Sequence, residues 1–127
     1  MISKIDIKLI NEEIDSLFKE QIRELGYCEY CQFKHKKATT GLEAHHFFSC
    51  SRMSIRWDPD NMFCLCAEHH TLNSEFSAHL TPVWFIEWAK EYRGEDWYNR
   101  LWNKSITIKQ WSDKELIELY KKLKKNH

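Results

Sequence analysis

The stretch LEAHHFFSCSRMSIRWDPDNMFCLCAEHHTLN, residues 42–73, decides the fold of this chain. Its two short apolar segments, 42–48 and 61–66, have the length and composition of strands that could pair with each other. The segment between them ends in the turn sequence Asp-Pro-Asp at 58–60, and a short helix is predicted from 68 through 76. The stretch therefore predicts two strands followed by a helix.

Helices are predicted on both sides of this stretch. Apolar residues recur at helical spacing over 8–25, which predicts a helix there, and Gly26 follows as a stop signal. The alternating apolar residues Ile5, Ile7 and Leu9 leave the first residue of this helix open. Thr81-Pro82 supplies a helix start, and Gly94 ends that helix before a further helical turn or two. Ser112 opens a capping box ahead of the last helix.

The composition is that of one folded domain. The chain has 127 residues, of which 43% are hydrophobic, and Lys+Arg equals Asp+Glu at 19 each. This balance argues against a highly basic DNA-coating protein but leaves room for a local basic patch. Basic residues outnumber acidic ones only in 81–127. The lysine run at its end is either a solvated helix end that complements the helix dipole or a phosphate-contacting tail.

The cellular setting is predicted from what the sequence lacks. It contains no apolar run of 18 residues, and its first residues lack the long apolar centre of a signal peptide. We therefore expect no membrane span and a cytoplasmic protein, in a compartment where thiols stay reduced. The five cysteines, an odd number, also fit poorly with a disulfide framework. Clustered Cys and His then indicate metal ligands first.

Two short ligand pairs predict a structural zinc site. Cys28 and Cys31 are separated by two residues, and so are Cys66 and His69. Two intervening residues allow a tight turn to aim both side chains at one ion, at about 2.0–2.3 Å. Cys64 is the alternative to Cys66, but only Cys66 reproduces the spacing. The site would join the chain before the strand pair to the chain after it.

The other cysteines and the helical tryptophans are predicted to be core residues. Cys64 and Cys50 lack partners at ligand spacing and are expected to behave as small buried apolar residues. The same expectation covers the tryptophans of the later helical segments, with stacking of one of them on a nucleic-acid base as the alternative. These are Trp84, Trp88, Trp97 and Trp102.

The histidines outside the zinc set are arranged for chemistry. Adjacent residues of a strand point in different directions, so His45 and His46 can divide two tasks. One can bind a metal while the other acts as a general base, since imidazole titrates near neutral pH. His70 lies beside the second ligand pair at a helix start, where the zinc site would fix its position. Asn73 and Ser74 follow one helical turn later on the same face.

This constellation resembles the HNH, or His-Me finger, endonucleases. The resemblance rests on HH at 45–46, DPDN ending at Asn61 and LCAEHH at 65–70, and it covers residues 28 to about 76. The stretch looks similar to the zinc-containing branch, and the form of the segment between the motifs looks like phage-type recombination and HNH nucleases. The resemblance implies an α+β fold with a zinc-stapled ββα-metal core in 27–80, an N-terminal helix in 1–26 and a helical extension in 81–127, all in a single domain. In one departure, His69 replaces the last zinc-binding cysteine.

The family's roles imply a division of labour. His45 and His70 would bind one catalytic cation, and His46 would be the general base that activates water. Asn61 would hydrogen-bond the strand or loop that carries His46. Some relatives place a third ligand one turn past the final His, where Asn73, or else Ser74, stands here. His79 lies about 180° around a continuous helix from His70, so it could bind only if the helix breaks before it.

The expected activity is hydrolysis of DNA phosphodiesters. The cofactors would be Zn²⁺ at the structural site and Mg²⁺, Mn²⁺ or another divalent cation at the catalytic site. Arg56 or Arg52 would hold a phosphate oxygen in catalysis and binding. Lys34, Lys36 and Lys37 would follow the DNA backbone. The resemblance implies 5′-phosphate and 3′-hydroxyl products.

A non-catalytic zinc module that binds nucleic acid or protein is the alternative function. Such a module needs one ion and four ligands, and it has no use for a second histidine pair. A metalloprotease is disfavoured because no H-E-x-x-H sequence occurs. A chain this short has little room for a sequence-reading domain, which favours sequence-independent cutting or the cutting of branched DNA. A homodimer formed through the aromatic C-terminal helices would suit symmetric cutting.

Overall fold

A computed structural model describes residues 4–126 of the chain, with side chains from residue 6 onward. Five α-helices and two β-strands form in those residues, together with a 3₁₀ turn at Pro59–Asn61 and a π-helical turn at Glu68–Leu72. The helices are α1 (Lys4–Arg23), α2 (Glu29–Phe33), α3 (Pro82–Arg93), α4 (Glu95–Ser105) and α5 (Asp113–Lys125). The strands are β1 (Leu42–His46) and β2 (Met62–Cys66).

The predicted α+β class is confirmed, and the two strands pair with each other. β1 and β2 are antiparallel, with His45 opposite Phe63 and His46 opposite Met62. Every residue of β2 is at most 1% exposed. Such complete burial requires helices on both faces of the strand, since successive side chains point to opposite faces. The two-stranded sheet is therefore an inner layer of the fold.

The two faces of the sheet are covered by two separate hydrophobic clusters. On one face, Met62 packs among buried residues of α1 and α5, including Ile14 and Leu116. On the other face, Phe63 packs with the buried aromatic residues of α3 and α4, chiefly Phe85, Trp88 and Trp97. His45 and His46 end β1, and the π-helical turn that carries His69 and His70 follows β2 after one residue.

Several sequence predictions of element boundaries hold. The capping box at Ser112 is present, with both of its hydrogen bonds. Gly94 ends α3 with a φ of +96°, a left-handed value that favours glycine. α1 begins earlier than expected, and α4 is a full helix of 11 residues instead of a turn or two. α3 begins at Pro82 as predicted, but the hydroxyl of Thr81 bonds to the backbone of Ser77 and does not cap the helix.

The predicted helix over residues 68–76 is wrong in its length. The helical turn ends at Leu72, and Asn73 adopts extended backbone angles. The Oδ1 atom of Asn73 accepts hydrogen bonds from the backbone N–H groups of Glu75 and Phe76, at 2.8 and 2.9 Å. This side-chain bonding offers the backbone a turn in place of further helix. The chain then folds back onto the helical turn, where Ala78 and His79 bond to the carbonyls of His69 and His70.

Two predictions of burial are also wrong. Cys50 is exposed, because it lies in the bend between the strands and outside both hydrophobic clusters. Trp102 is 40% exposed at the rim of α4, where the guanidinium of Arg52 lies 5.6 Å from its ring. Trp88, Trp97 and Cys64 are buried as expected, while Trp84 is partly buried. Within residues 4–126, no helix combines the length and the apolar character that crossing a membrane requires.

Candidate metal centres

The first candidate centre brings together Cys28, Cys31, Cys66 and His69. Cys28 stands at the N-cap of α2, Cys31 lies inside that helix, Cys66 ends β2, and His69 is in the π-helical turn. The three cysteines are buried and His69 is partly buried. The alternative ligand Cys64 is not in the group. Its backbone N–H donates instead to the carboxylate of the buried Glu29.

The spacing of these four ligand atoms fits a tetrahedral zinc ion. Bonds of about 2.0–2.3 Å place the corners of a tetrahedron about 3.3–3.8 Å apart. The Sγ atoms of Cys31 and Cys66 are 3.9 Å apart, and His69 Nδ1 lies 3.4 and 3.2 Å from them. Cys28 Sγ is 4.0 Å from His69 Nδ1. Three thiolates and one imidazole are a common structural zinc set, so the residues present are compatible with zinc.

The electrostatics of this cluster favour a bound cation. Burial raises the pKa of Cys28, and burial together with the other thiols raises the pKa of Cys31 well above its ordinary value. Burial also lowers the pKa of His69. All three shifts oppose charged side chains, so three close thiolates would repel one another in the absence of a counter-charge. A divalent cation supplies that charge and allows the thiols to ionise.

The second candidate centre consists of His45, His70 and His79. One nitrogen of each imidazole lies within 4.8 Å of those of the other two, and the Nε2 atoms of His70 and His79 are 3.1 Å apart. Burial, followed by the charges of His70 and His79, lowers the pKa of His45 to about 3. The His45 ring is thus neutral and can donate a lone pair to a cation, and the three rings converge on one point. His79 is exposed, which leaves one side of the cluster open.

Glu43 orients one ring of this second centre. The Nδ1 atom of His70 lies 2.7 Å from Glu43 Oε1. A carboxylate can only accept, so His70 Nδ1 carries a proton towards Glu43 and the other nitrogen, Nε2, faces the cluster. A carboxylate behind a histidine is a recurrent feature of metal sites, where it fixes the tautomer and strengthens the ligand. Glu43 shares a side of β1 with His45, two residues later.

The third member of this cluster corrects a sequence prediction. Asn73 was expected to be the third ligand, but its Oδ1 is occupied by the turn and its Nδ2 donates to Glu68. After the break in the helix, the chain folds back along the helical turn. The N–H groups of Ala78 and His79 donate to the carbonyls of His69 and His70. His79 consequently meets His70. The turn-forming Asn73-Ser74 pair was the signal for this break.

His46 is held apart from the three clustered rings. Its Nε2 atom is 3.1 Å from the carbonyl oxygen of Arg56, which can only accept, so the ring proton is on Nε2 and Nδ1 is free to act as a base. Burial lowers the pKa of His46, despite the opposing bond to Arg56. The ring is therefore neutral at pH 7.

Asn61, directly before β2, bonds the residues that directly follow β1 and His46. This residue is completely buried, and its side chain bonds both backbone groups of Phe48: Oδ1 accepts from the N–H at 2.8 Å and Nδ2 donates to the carbonyl at 3.0 Å. Its own carbonyl accepts from the N–H of Phe47 at 2.7 Å. Asn61 therefore fixes the segment that directly follows His46.

Arg56, predicted to hold a phosphate oxygen, is paired with a carboxylate in the structure. Its Nε and Nη2 atoms donate to the two carboxylate oxygens of Asp15 on α1, at 3.1 and 2.6 Å, and Trp57 Nε1 donates to the same carboxylate at 2.8 Å. Burial acts to raise the pKa of Asp15, but these hydrogen bonds outweigh it and the pKa is lowered. Asp15 was not found in the sequence because 41 residues separate it from Arg56.

The remaining basic residues are distributed outside the histidine cluster. Arg52 contacts α4, where its Nη1 atom is 3.4 Å from the carbonyl of Ser105. Lys34, Lys36 and Lys37 are exposed and line a cavity beside the cysteine cluster. Within the described part of the chain, none of these three lysines forms an ion pair.

Comparison with known proteins gives no independent assignment. No family model matches the chain, and neither the curated proteins nor the solved structures give a significant match. Function must therefore be argued from the two centres themselves.

Proposed function

We propose that this protein is a metal-dependent DNA endonuclease of the HNH class. The observation that carries the proposal is the second centre, His45, His70 and His79, which is separate from the Cys3His set. A purely structural zinc protein has no use for it. Two further observations support the resemblance to the ββα-metal core. Strand, strand and short helix follow one another in that order, and Asn61 bonds Phe48, two residues after His46.

The donor set of the second centre favours a particular group of cations. Imidazole nitrogens suit Zn²⁺, Ni²⁺, Cu²⁺ and Fe²⁺, whereas Mg²⁺ and Mn²⁺ prefer oxygen ligands. With three imidazoles and no carboxylate in the cluster, a transition-metal ion fits better than Mg²⁺. When bound, such a cation would neutralise charge on the scissile phosphate and on the leaving oxygen.

The protein's own groups would supply the base. Nδ1 of His46 takes the proton from the attacking water, while the bond from Nε2 to the Arg56 carbonyl keeps the lone pair on Nδ1. The same bond stabilises the imidazolium that forms. Asp15 supports this arrangement from α1, because its bonds to Arg56 and Trp57 fix the segment that presents the carbonyl.

The substrate class follows from the resemblance and from the charge of the chain. With equal numbers of acidic and basic residues, the protein lacks the overall positive charge that would drive sequence-independent coating of DNA. Local contacts must then select the substrate, which favours branched or otherwise irregular DNA. The homodimer expected for symmetric cutting stays a prediction.

Plasmid relaxation tests the proposal. Zinc-replete protein is incubated with supercoiled DNA and added Zn²⁺, Co²⁺, Ni²⁺, Mn²⁺ or Mg²⁺, and nicked product is followed in time. We expect nicking with at least one imidazole-preferring cation and weaker activity with Mg²⁺.

A matched pair of variants sharpens this test. His79→Ala should raise the cation concentration needed for nicking. His35→Asn removes an exposed imidazole outside both centres, at a φ of +56° that Asn tolerates, and should behave as wild type. DNA binding without nicking under every cation would favour the non-catalytic zinc module.

A further inference from the structure

A cavity of about 520 Å³ lies beside the cysteine cluster and has an unusual combination of walls. Three aromatic side chains, Tyr30, Phe76 and Trp84, form one part of it, and the three lysines of the α2–β1 connection form another. We infer that this lysine–aromatic cavity binds an unpaired nucleotide segment of single-stranded DNA. The proposal rests on the proposed function and names the part of the substrate that the protein would recognise away from the cation.

The aromatic wall offers ring surface to a base. Phe76 is 41% exposed although it contacts both Tyr30 and Trp84, with ring centroids 6.4 and 5.3 Å apart. Trp84 is also only partly buried. Exposed aromatic faces in a charged groove are the feature on which single-stranded nucleic acids stack. Bases within a duplex keep their faces covered, so the wall selects unpaired DNA.

The lysine wall supplies the matching charge. Lys34, Lys36 and Lys37 are exposed, and in the described residues no carboxylate pairs with them. Glu68, the one carboxylate in the wall, accepts a hydrogen bond from Asn73. A zinc ion with three thiolates adds one negative charge, so the three lysines still leave the cavity positive.

A second cavity fixes the direction in which the strand would lie. It shares Tyr30, Lys34 and Trp84 with the first, but its other side is lined by Lys90 and by three glutamates of α3 and α4. These are Glu87, Glu91 and Glu95. The three glutamates outnumber the two lysines of this cavity, so an anionic backbone is disfavoured there and the phosphates follow the lysine side of Trp84. His69 lines the lysine–aromatic cavity and the next residue, His70, belongs to the second centre, which brings bound DNA close to the cation.

The role of the three lysines is tested by measuring DNA binding under conditions in which no cleavage occurs. Anisotropy of a labelled oligothymidylate is measured against NaCl with zinc-replete protein and no other divalent cation. Replacing Lys34, Lys36 and Lys37 together by Gln should reduce the slope of log affinity against log salt by about 2, since each phosphate contact on a single strand contributes about 0.7.

The matched charge control lies on α5. Replacing the exposed Lys121, Lys122 and Lys124 by Gln removes the same charge and should reduce the slope by much less. An equal loss in the two triple variants would overturn the proposal, because general charge and not this cavity would then set the salt dependence, and a larger loss in the α5 variant would assign the phosphates to the C-terminal lysines.

The stacking half is tested with an abasic oligonucleotide of equal length. Wild type should prefer the base-bearing strand by at least about fivefold, because stacking contributes about 1–3 kcal/mol per base. Phe76→Ala should remove most of this preference. Phe33→Ala should keep the preference for bases, because Phe33 is about as exposed as Phe76 but lines the second cavity and not the lysine–aromatic cavity.

Three further results would refute the cavity assignment. They are no preference for bases in wild type, equal losses in the two phenylalanine variants, and polyglutamate binding as tight as that of the oligonucleotide. Failure of the nuclease proposal can be distinguished from failure of the cavity assignment. If only the nuclease proposal fails, base-dependent binding persists and no DNA is cleaved. If both phenylalanine variants nick duplex DNA normally and no base preference exists, the cavity assignment alone fails.

Discussion

Replacing Glu43 by Gln should weaken cation binding at the second centre without unfolding the protein. Gln keeps the shape of the side chain but removes the charge that faces His70 Nδ1 at 2.7 Å. Loss of such a carboxylate behind a metal-binding histidine typically lowers metal affinity about 10- to 100-fold. Because the Glu43 side chain is 45% exposed, solvent screens its charge, and we expect the lower end, about tenfold.

Cobalt titration measures this effect. The cysteine site is first loaded with Zn²⁺, and Co²⁺ is then added while visible absorption is followed; cobalt bound by imidazole alone lacks thiolate charge-transfer bands. Glu75→Gln is the matched control, since Glu75 is exposed and close in sequence, and its carboxylate has no bond to a cluster histidine. Unchanged affinity in Glu43→Gln, or an equal loss in Glu75→Gln, would refute the assignment of Glu43.

Two further predictions concern the scaffold. Cys28→Ser should lose zinc by metal analysis and lose protection from hydrogen exchange around α2, because structural zinc supplies about 10–16 kcal/mol of folding free energy in zinc fingers. Cys50→Ser, at an exposed thiol, should keep the zinc content of wild type. Asp15→Asn should lower the free energy of unfolding by about 2 kcal/mol through its bonds to charged Arg56, and the side-chain ¹⁵N shifts of His46 should show mixed tautomers. A single tautomer and wild-type cleavage in that variant would contradict the positioning role of Asp15, and Glu12→Gln on the same helix serves as its control.

The features that the sequence predicted well depend on local patterns. The Cys28–Cys31 and Cys66–His69 pairs each span a single turn, so spacing alone identified them. The capping box at Ser112 and the stop at Gly94 are likewise properties of a few consecutive residues. The two strands were predicted within two residues of their ends, because a short apolar segment bounded by turn residues has few other solutions in a small α+β fold.

The features that were missed depend on contacts between distant residues or on a break in a regular pattern. His79 joins His70 only because the side chain of Asn73 ends the helical turn, and extrapolating a continuous helix placed His79 on the wrong side. The bond between Glu43 and His70 spans 27 residues. Arg56 had the chemistry to hold a phosphate, but nothing near it in sequence showed that α1 supplies its carboxylate.

The rate of DNA cleavage by His46→Ala tests the central claim most directly. Single-turnover nicking of supercoiled DNA is compared for wild type, His46→Ala and His35→Asn at a cation concentration that saturates the second centre, with cobalt titration as the check of saturation. The account predicts that His46→Ala binds the cation normally and cleaves about 10²- to 10⁴-fold more slowly, while His35→Asn matches wild type. Cleavage by His46→Ala at the wild-type rate would contradict the assignment of His46 as the base.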